Sequence, residues 1–332
     1  MITIKEIIEK QHQDTALYKV AICVTSYNQK EYIEDALKGL LSQETTFPYL
    51  IVVGDDCSTD GSQEILLKYQ KEYPEKIRLL LHEKNIGVNE NRKQIILNCE
   101  APYIAFCDGD DYWIANDCLQ RKLDFLEKHP EYIGYQSACY RRRADCISED
   151  MDLEETGCFF DFGRENAVRN NYPGQVGGFF FRNIYRYMNK TDFHIYMIAA
   201  VDDSGKLPIV AGIIAPIYRQ DRKPTFIYRF HEESMERQKE KTNMCKKLFL
   251  SHLQYEKMVK TLFNNEVTMN IQEQLMKLIT DSFITAVKSG FAGKAAKENW
   301  QQFGFLYHYG YFSKKQIRNA IGQYLIMKVK KK

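Results

Sequence analysis

"YIAFCDGDDYW", residues 103–113, sets a short apolar run directly before Asp108, Asp110 and Asp111. Three carboxylates within four positions repel one another, so the turn is either solvated charge or a place that holds a cation. An apolar run this short, broken abruptly by polar residues, reads as a buried strand. The same punctuation recurs on both sides of it. "VAICV" (20–24) runs into "TSYN", "YLIVVG" (49–54) into "DDCSTDGS", and "IRLLL" (77–81) into "HEKNIGVNENR"; "YIGYQ" (132–136) follows. Between these runs lie amphipathic segments near 31–41 and 89–99, another that Gly61 precedes and Pro74 stops, and one near 117–129. Apolar strands joined by helices predict an α/β fold, a Rossmann-like, mostly parallel sheet with helices on both faces. Ligands of such sheets bind beyond the carboxyl ends of the strands, so the residues ending each run are expected to share one edge.

The whole chain sets the limits. Its 332 residues suffice for one large domain with an appendage, or for two domains. Apolar content of 44% and aromatic content of 13% are globular values. With 46 basic and 44 acidic residues the net charge is +2, which provides no field for a nucleic-acid partner. Nine cysteines without a CxxC pair argue against a disulfide scaffold or zinc ribbon and for a reducing compartment. The N-terminal "MITIKEIIEKQHQD" carries charges through its apolar positions, unlike a signal peptide. The longest apolar stretch, "PIVAGIIAPIY" at 208–218, is too short for a bilayer. A cytoplasmic, soluble protein is the expectation.

Four strand ends then offer a common chemistry. Tyr27 can stack on a base, and Asp55 can accept from a ring N–H. Asp108 and Asp110 can hold one hard divalent cation while leaving positions for phosphate oxygens, which suits Mg²⁺ or Mn²⁺. Arg92 can neutralise further phosphate charge. The set suits a nucleotide diphosphate with a bound metal. Blander readings exist: Ser58, Asp60 and Ser62 are favoured in turns and helix caps. A calcium loop beginning at Asp56 fails because Leu67 stands where a bidentate Glu is needed. A DxDx[TV] phosphatase fails at Tyr112, and no GxxxxGK[ST] loop is present.

In order and spacing, four blocks resemble the inverting glycosyltransferases of family 2: "VAICVTSYNQKEYIEDALKGLLSQ", "LIVVGDDCSTDGSQEIL", "EKNIGVNENR" and "APYIAFCDGDDYWIANDCLQRKLDFLEKHPE". The resemblance is specific over about 18–135 and weaker to about 220. It implies the GT-A fold and a metal-dependent transfer of one sugar, with inversion, from a nucleotide-diphosphate sugar, usually a UDP-sugar. The acceptor would be a hydroxyl of a glycan or lipid-linked glycan. It implies nucleotide contacts from Thr25, Tyr27, Asp55, Asp56, Asn85, Arg92 and Asp108, and a DXD motif on Asp108-Gly109-Asp110 holding Mn²⁺ or Mg²⁺ through Asp108 and Asp110. The catalytic base is expected at Asp192, which follows "GGFFFRN" (177–183), with Asp202 and Asp203 as rivals. Tyr218 and Arg219 fit the family's Tyr-Arg-x-His, with only His231 to stand for the histidine. The QxxRW signature of processive synthases is absent. A nucleotidyltransferase would need a Gly- and Arg-containing loop where "TSYNQKEY" stands; a catalytically inactive nucleotide-sugar-binding protein of the same fold is the alternative.

Three regions are expected: an N-terminal helical extension (1–17), the GT-A domain (18–232) and a C-terminal helical region (233–332). In the last, Leu248, His252, Tyr255, Val259 and Leu262 share one helical face, and Leu275, Ile279, Phe283 and Val287 another. From Ser313 onward the tail carries seven basic residues and no acid. It reads either as a frayed terminus or as a helix in peripheral contact with an anionic membrane surface.

Overall fold

The runs "VAICV", "YLIVVG", "IRLLL" and "YIAFC" each form a strand that ends at or close to the first polar residue behind it, and "YIGYQ" leads into a fifth. The computed structural model describes residues 2–143, 146–149, 161–163, 174–193, 203–220, 224–230 and 261–262. In chain order the elements are α1 (Ile4–His12), β1 (Val20–Ser26), α2 (Ile33–Leu41), β2 (Tyr49–Asp55), α3 (Ser62–Glu72), β3 (Ile77–Leu81), α4 (Val88–Leu97) and β4 (Tyr103–Asp108). Then come β5 (Tyr112–Trp113), α5 (Cys118–Lys128), β6 (Gly134–Ser137), β7 (Cys139–Arg143), β8 (Cys146–Glu149) and a 3₁₀ turn at Val176–Gly178. β9 (Phe179–Arg182), α6 (Ile184–Tyr187), α7 (Asp203–Ile214), β10 (Ile217–Gln220) and β11 (Phe226–Phe230) complete the described elements.

Seven strands form one sheet in the order β10-β6-β9-β4-β1-β2-β3. Its adjacent pairs are parallel except where β9 runs antiparallel to β4 and to β6. Alternation along β1 divides it between two cores: Ala21 and Cys23 face one, Val20, Ile22 and Val24 the other. β9 does the same, with Phe179 and Phe181 on one side and Phe180 on the other, all at most 1% exposed. Burying each such ring contributes about 2–3 kcal/mol, which holds the reversed strand in the middle of the sheet.

A second, four-stranded sheet, β5-β11-β7-β8, grows from the carboxylate turn. The irregular pattern after residue 141 gave no sign of it. The "PIVAGIIAPIY" run is the end of α7 and the start of β10. The N-terminal extension is docked rather than loose. Thr3 and Glu6 form a capping box on α1, Ile7 is buried, and Asp14 accepts from Arg186 at 2.6 Å and Tyr187 at 2.7 Å. No helix of the described residues is long and apolar enough to cross a membrane. The two helical faces placed between 248 and 287 lie outside the described residues apart from Leu262, as do His231 and the basic tail.

Candidate active site

β1 and β4 are neighbours, and their register pairs Thr25 with Asp108 at the carboxyl edge. Thr25 Oγ1 donates to Asp108 Oδ1 at 2.6 Å, and Arg92 Nη2, reaching over from α4, donates to the same oxygen at 2.8 Å. The Arg92 side chain is 6% exposed and that of Asp108 29%, so the pair is anchored inside and open at its acidic end. Among the described residues none donates to Asp108 Oδ2. The chain then turns at Gly109, whose N–H donates to Thr25 O at 2.8 Å. A Cβ there would stand 2.3 Å from Gln29 Oε1 and 2.9 Å from Thr25 O, so only glycine fits. Asp110 follows at the half-open lip. Asp111 is buried and accepts from the Arg229 N–H at 2.9 Å. Burial, then the charges of Asp110 and Asp108, push its carboxyl well above the usual range.

The two aspartates after β2 have a different environment. Asp55 is fully buried and takes four donors: Ser58 N and Gln63 Nε2 on one oxygen, Ser26 Oγ and Ser58 Oγ on the other. Four donors fill the lone-pair sites of a carboxylate. Asp56 accepts from Ile86 N at 2.7 Å and Gly87 N at 2.9 Å, fixing the loop that leads into α4. Gly87 has φ 84°, the left-handed region that favours glycine. That loop carries Asn85, exposed, its side chain accepting from Gly87 N at 3.2 Å. Asn28 (φ 51°) and Ser58 join the β1 and β2 ends: Asn28 N donates to Ser58 Oγ, and Thr59 N to Asn28 Oδ1. Tyr27 stands out from this zipper, 49% exposed.

Thr25, Tyr27, Asp55, Asp56, Asn85, Arg92, Asp108 and Asp110 thus gather at one edge. Asp192 does not join them. β9 runs against β4, and Arg182 at its end pairs with Tyr103 at the beginning of β4. The chain therefore leaves β9 at the opposite edge, where Asn183 N donates to Pro102 O and α6 meets α1 through Arg186 and Asp14. Asp192 follows in a helical turn at 190–193, where Asn189 donates to its carboxylate at 3.1 Å. α7 behaves otherwise. It ends just before β10, which is parallel to β6 and hence to β4, so its first residue, Asp203, starts from the edge of Asp108. Asp202 lies outside the described residues.

Several side chains at this edge carried no sequence signal. Trp113 Nε1 donates to Gly177 O at 3.1 Å, and Lys122 Nζ donates to Gly178 O at 3.2 Å while lying over the Trp113 ring. Burial lowers the Lys122 pKa. These contacts fix the glycine turn before β9. Arg229, from β11, reaches back to Asp110, Asp111 and Asp35. An apolar strand containing one arginine does not announce where that arginine points.

The chain was compared with known proteins. The family model described as Glycosyl transferase family 2 matches residues 21–187. An uncharacterized protein of Mycobacterium tuberculosis is 40% identical over 112 residues, covering 34% of this chain and 32% of that one. The poly(ribitol-phosphate) beta-N-acetylglucosaminyltransferase TarS of Staphylococcus aureus is 31% identical over 116 residues, 34% of this chain and 20% of TarS. The matches therefore span a third or less of the length of these relatives. Among solved structures, S. aureus TarS 1–349 in complex with UDP-GlcNAc aligns with TM-score 0.53 at 17% identity, covering 80% of both chains. The mannosyltransferase PcManGT of Pyrobaculum calidifontis, in complex with GDP-Man and Mn²⁺, aligns with TM-score 0.51 at 15% identity, over 94% of this chain and 86% of that one. At such identities the likeness is one of fold, and that fold is GT-A.

Proposed function

The chain belongs to glycosyl transferase family 2, and on that premise we propose that it moves one sugar, with inversion, from a nucleotide-diphosphate sugar to a hydroxyl of a glycan or lipid-linked glycan. The observation that carries this reading is the Asp108 carboxylate. One oxygen is fixed by Thr25 and Arg92, while the other is left at the open edge beside Asp110. Among the described residues no three metal-ligating side chains cluster. Two carboxylates on a crowded acidic turn, with further oxygens to come from substrate, fit a hard divalent cation. Asp108 and Asp110 would hold Mn²⁺ or Mg²⁺, whose charge offsets that gathering on the departing diphosphate.

The chain's own groups supply the rest. Tyr27 would stack on the base, and Arg92 would hold the Asp108 carboxylate in place while lending charge to the diphosphate. Asn85 sits exposed on the loop that Asp56 holds at this edge. Asp55 could take a ring N–H only by releasing a donor, and Gln63 is the one on a long side chain. Asp56 acts by holding the 85–87 loop. The proton of the acceptor hydroxyl needs a carboxylate at this edge. Its position at the start of α7 favours Asp203 over Asp192 for that task. UDP is the preferred nucleotide, since the matched blocks resemble a family that usually uses uridine.

Calorimetric titration of UDP and GDP, each with and without Mn²⁺, tests the reading. Metal-dependent UDP binding is expected. Absence of binding by either nucleotide would favour a catalytically inactive protein of the same fold.

A further inference from the structure

Arg229 is 7% exposed, and its side chain reaches both the carboxylate turn and the helix beside it. Its N–H donates to Asp111 Oδ1 at 2.9 Å, and its Nη1 donates to the Asp110 carbonyl at 3.0 Å. Its Nη2 donates to Asp35 in the first turn of α2. The guanidinium face lies 4.3 Å from the Tyr112 ring centroid and 5.2 Å from that of Tyr32. One residue, through its main-chain N–H and its side chain, therefore ties a strand from late in the sequence to both residues after Gly109 and to a helix from the first quarter of the chain.

We infer that Arg229 is a positioning residue for the cation site, with Asp35 as its anchor: together they hold the Asp110 main chain so that the Asp108 and Asp110 carboxylates meet the same ion. The inference rests on the metal reading of those two aspartates. Two effects compete. A guanidinium close to a cation site repels the cation, so charge alone says that removing it tightens metal binding. Orientation says the reverse, since groups behind metal ligands commonly govern affinity by about 10–100-fold. Orientation wins here because Asp35 already offsets the charge of the guanidinium, whose Nη1 grips the Asp110 carbonyl directly.

The test uses the full chain with saturating UDP, titrated with Mn²⁺, the free ion being read by electron paramagnetic resonance. Arg229→Met is expected to weaken Mn²⁺ binding about 10–100-fold and leave metal-free UDP affinity unchanged. Arg229→Lys should resemble it, because a single ammonium cannot span the Asp110 carbonyl and Asp35 together. Asp35→Asn should weaken Mn²⁺ binding in the same direction with a wild-type melting temperature. Equal or tighter Mn²⁺ binding by Arg229→Met overturns the inference. Should that variant fail to fold, Asp35→Asn decides, and an unchanged Mn²⁺ affinity there overturns it equally. Wild-type protein that binds no Mn²⁺ would remove the metal reading and this inference together; variants that bind it as wild type does would remove the inference alone.

Discussion

Thr25 and Asp108 face each other as register partners on adjacent parallel strands, joined by a 2.6 Å hydrogen bond at the last pair of the ladder. The bond sits where the sheet stops, so main-chain pairing aims the carboxylate before any ligand arrives. A threonine hydroxyl and a buried arginine on one oxygen leave the other with a defined direction. Preorganised charge of this kind needs no rearrangement during a reaction.

Removing the second carboxylate tests what that direction serves. Asp110→Ala should keep the fold, since Asp110 lies at the lip and its carbonyl contact to Arg229 survives. UDP binding should no longer respond to Mn²⁺, and turnover should fall by about 10²–10³-fold. Calorimetry with and without the metal checks this; a retained metal response would move the ion elsewhere.

The base can be located by comparing two variants. Asp203→Asn should bind UDP normally and lose about 10²–10⁴-fold in turnover. Asp192→Asn, at the far edge and capped by Asn189, should turn over within a few-fold of wild type. The opposite ranking in a sugar-transfer assay would return the role to Asp192.

Gly109 offers a stability test independent of any ligand. In Gly109→Ala the new methyl would meet Gln29 Oε1 and the Thr25 carbonyl, and the latter is backbone that cannot swing away. A loss of about 1–3 kcal/mol in urea unfolding is expected. An unchanged midpoint would mean that the turn has slack.

The docking of α1 should depend on pH. Burial pushes the Asp14 carboxyl up, but hydrogen bonds from Arg186, Tyr187 and Ala16 N outweigh it and hold the group below its ordinary 3.8. A depressed carboxyl stabilises the fold above its unfolded value, and that contribution is lost as pH falls through the lower folded one. Amides of α1 should therefore lose exchange protection below about pH 4, ahead of those in β1. Asp14→Ala should cost about 1–3 kcal/mol at neutral pH.

The gathering of the strand-end residues at one edge was legible because its signals are local. β1 to β4 are short apolar runs with abrupt polar ends, and the rule about strand ends converts them into an edge. The rest depends on contacts far apart in sequence. "GGFFFRN" says strand, but three phenylalanines buried on both faces carry no direction, so the reversal of β9 was invisible. The place of Asp192 relative to the carboxylate edge was invisible with it. Asp55 and Asp56 look alike in "DDCSTDG", yet one is filled by Ser26, Ser58 and Gln63 and the other by a loop 30 residues on. Arg229 is 118 residues from Asp111, beyond any spacing argument.

The reversal of β9 bears on how such a chain can diversify. Because one antiparallel strand separates β4 from β6, the β6–β10 pair keeps the polarity of β1 to β4. Two halves of different origin in the sequence can then deliver their ends to a single rim, although only the first carries the four matched blocks. The downstream half meets β4 through three register pairs, Tyr103–Arg182 to Ala105–Phe180, and meets the carboxylate turn where β11 pairs with β5. Exchanging it would also remove β11 from β5 and the hold of Arg229 on the Asp110 carbonyl, so the two halves are bound to change together.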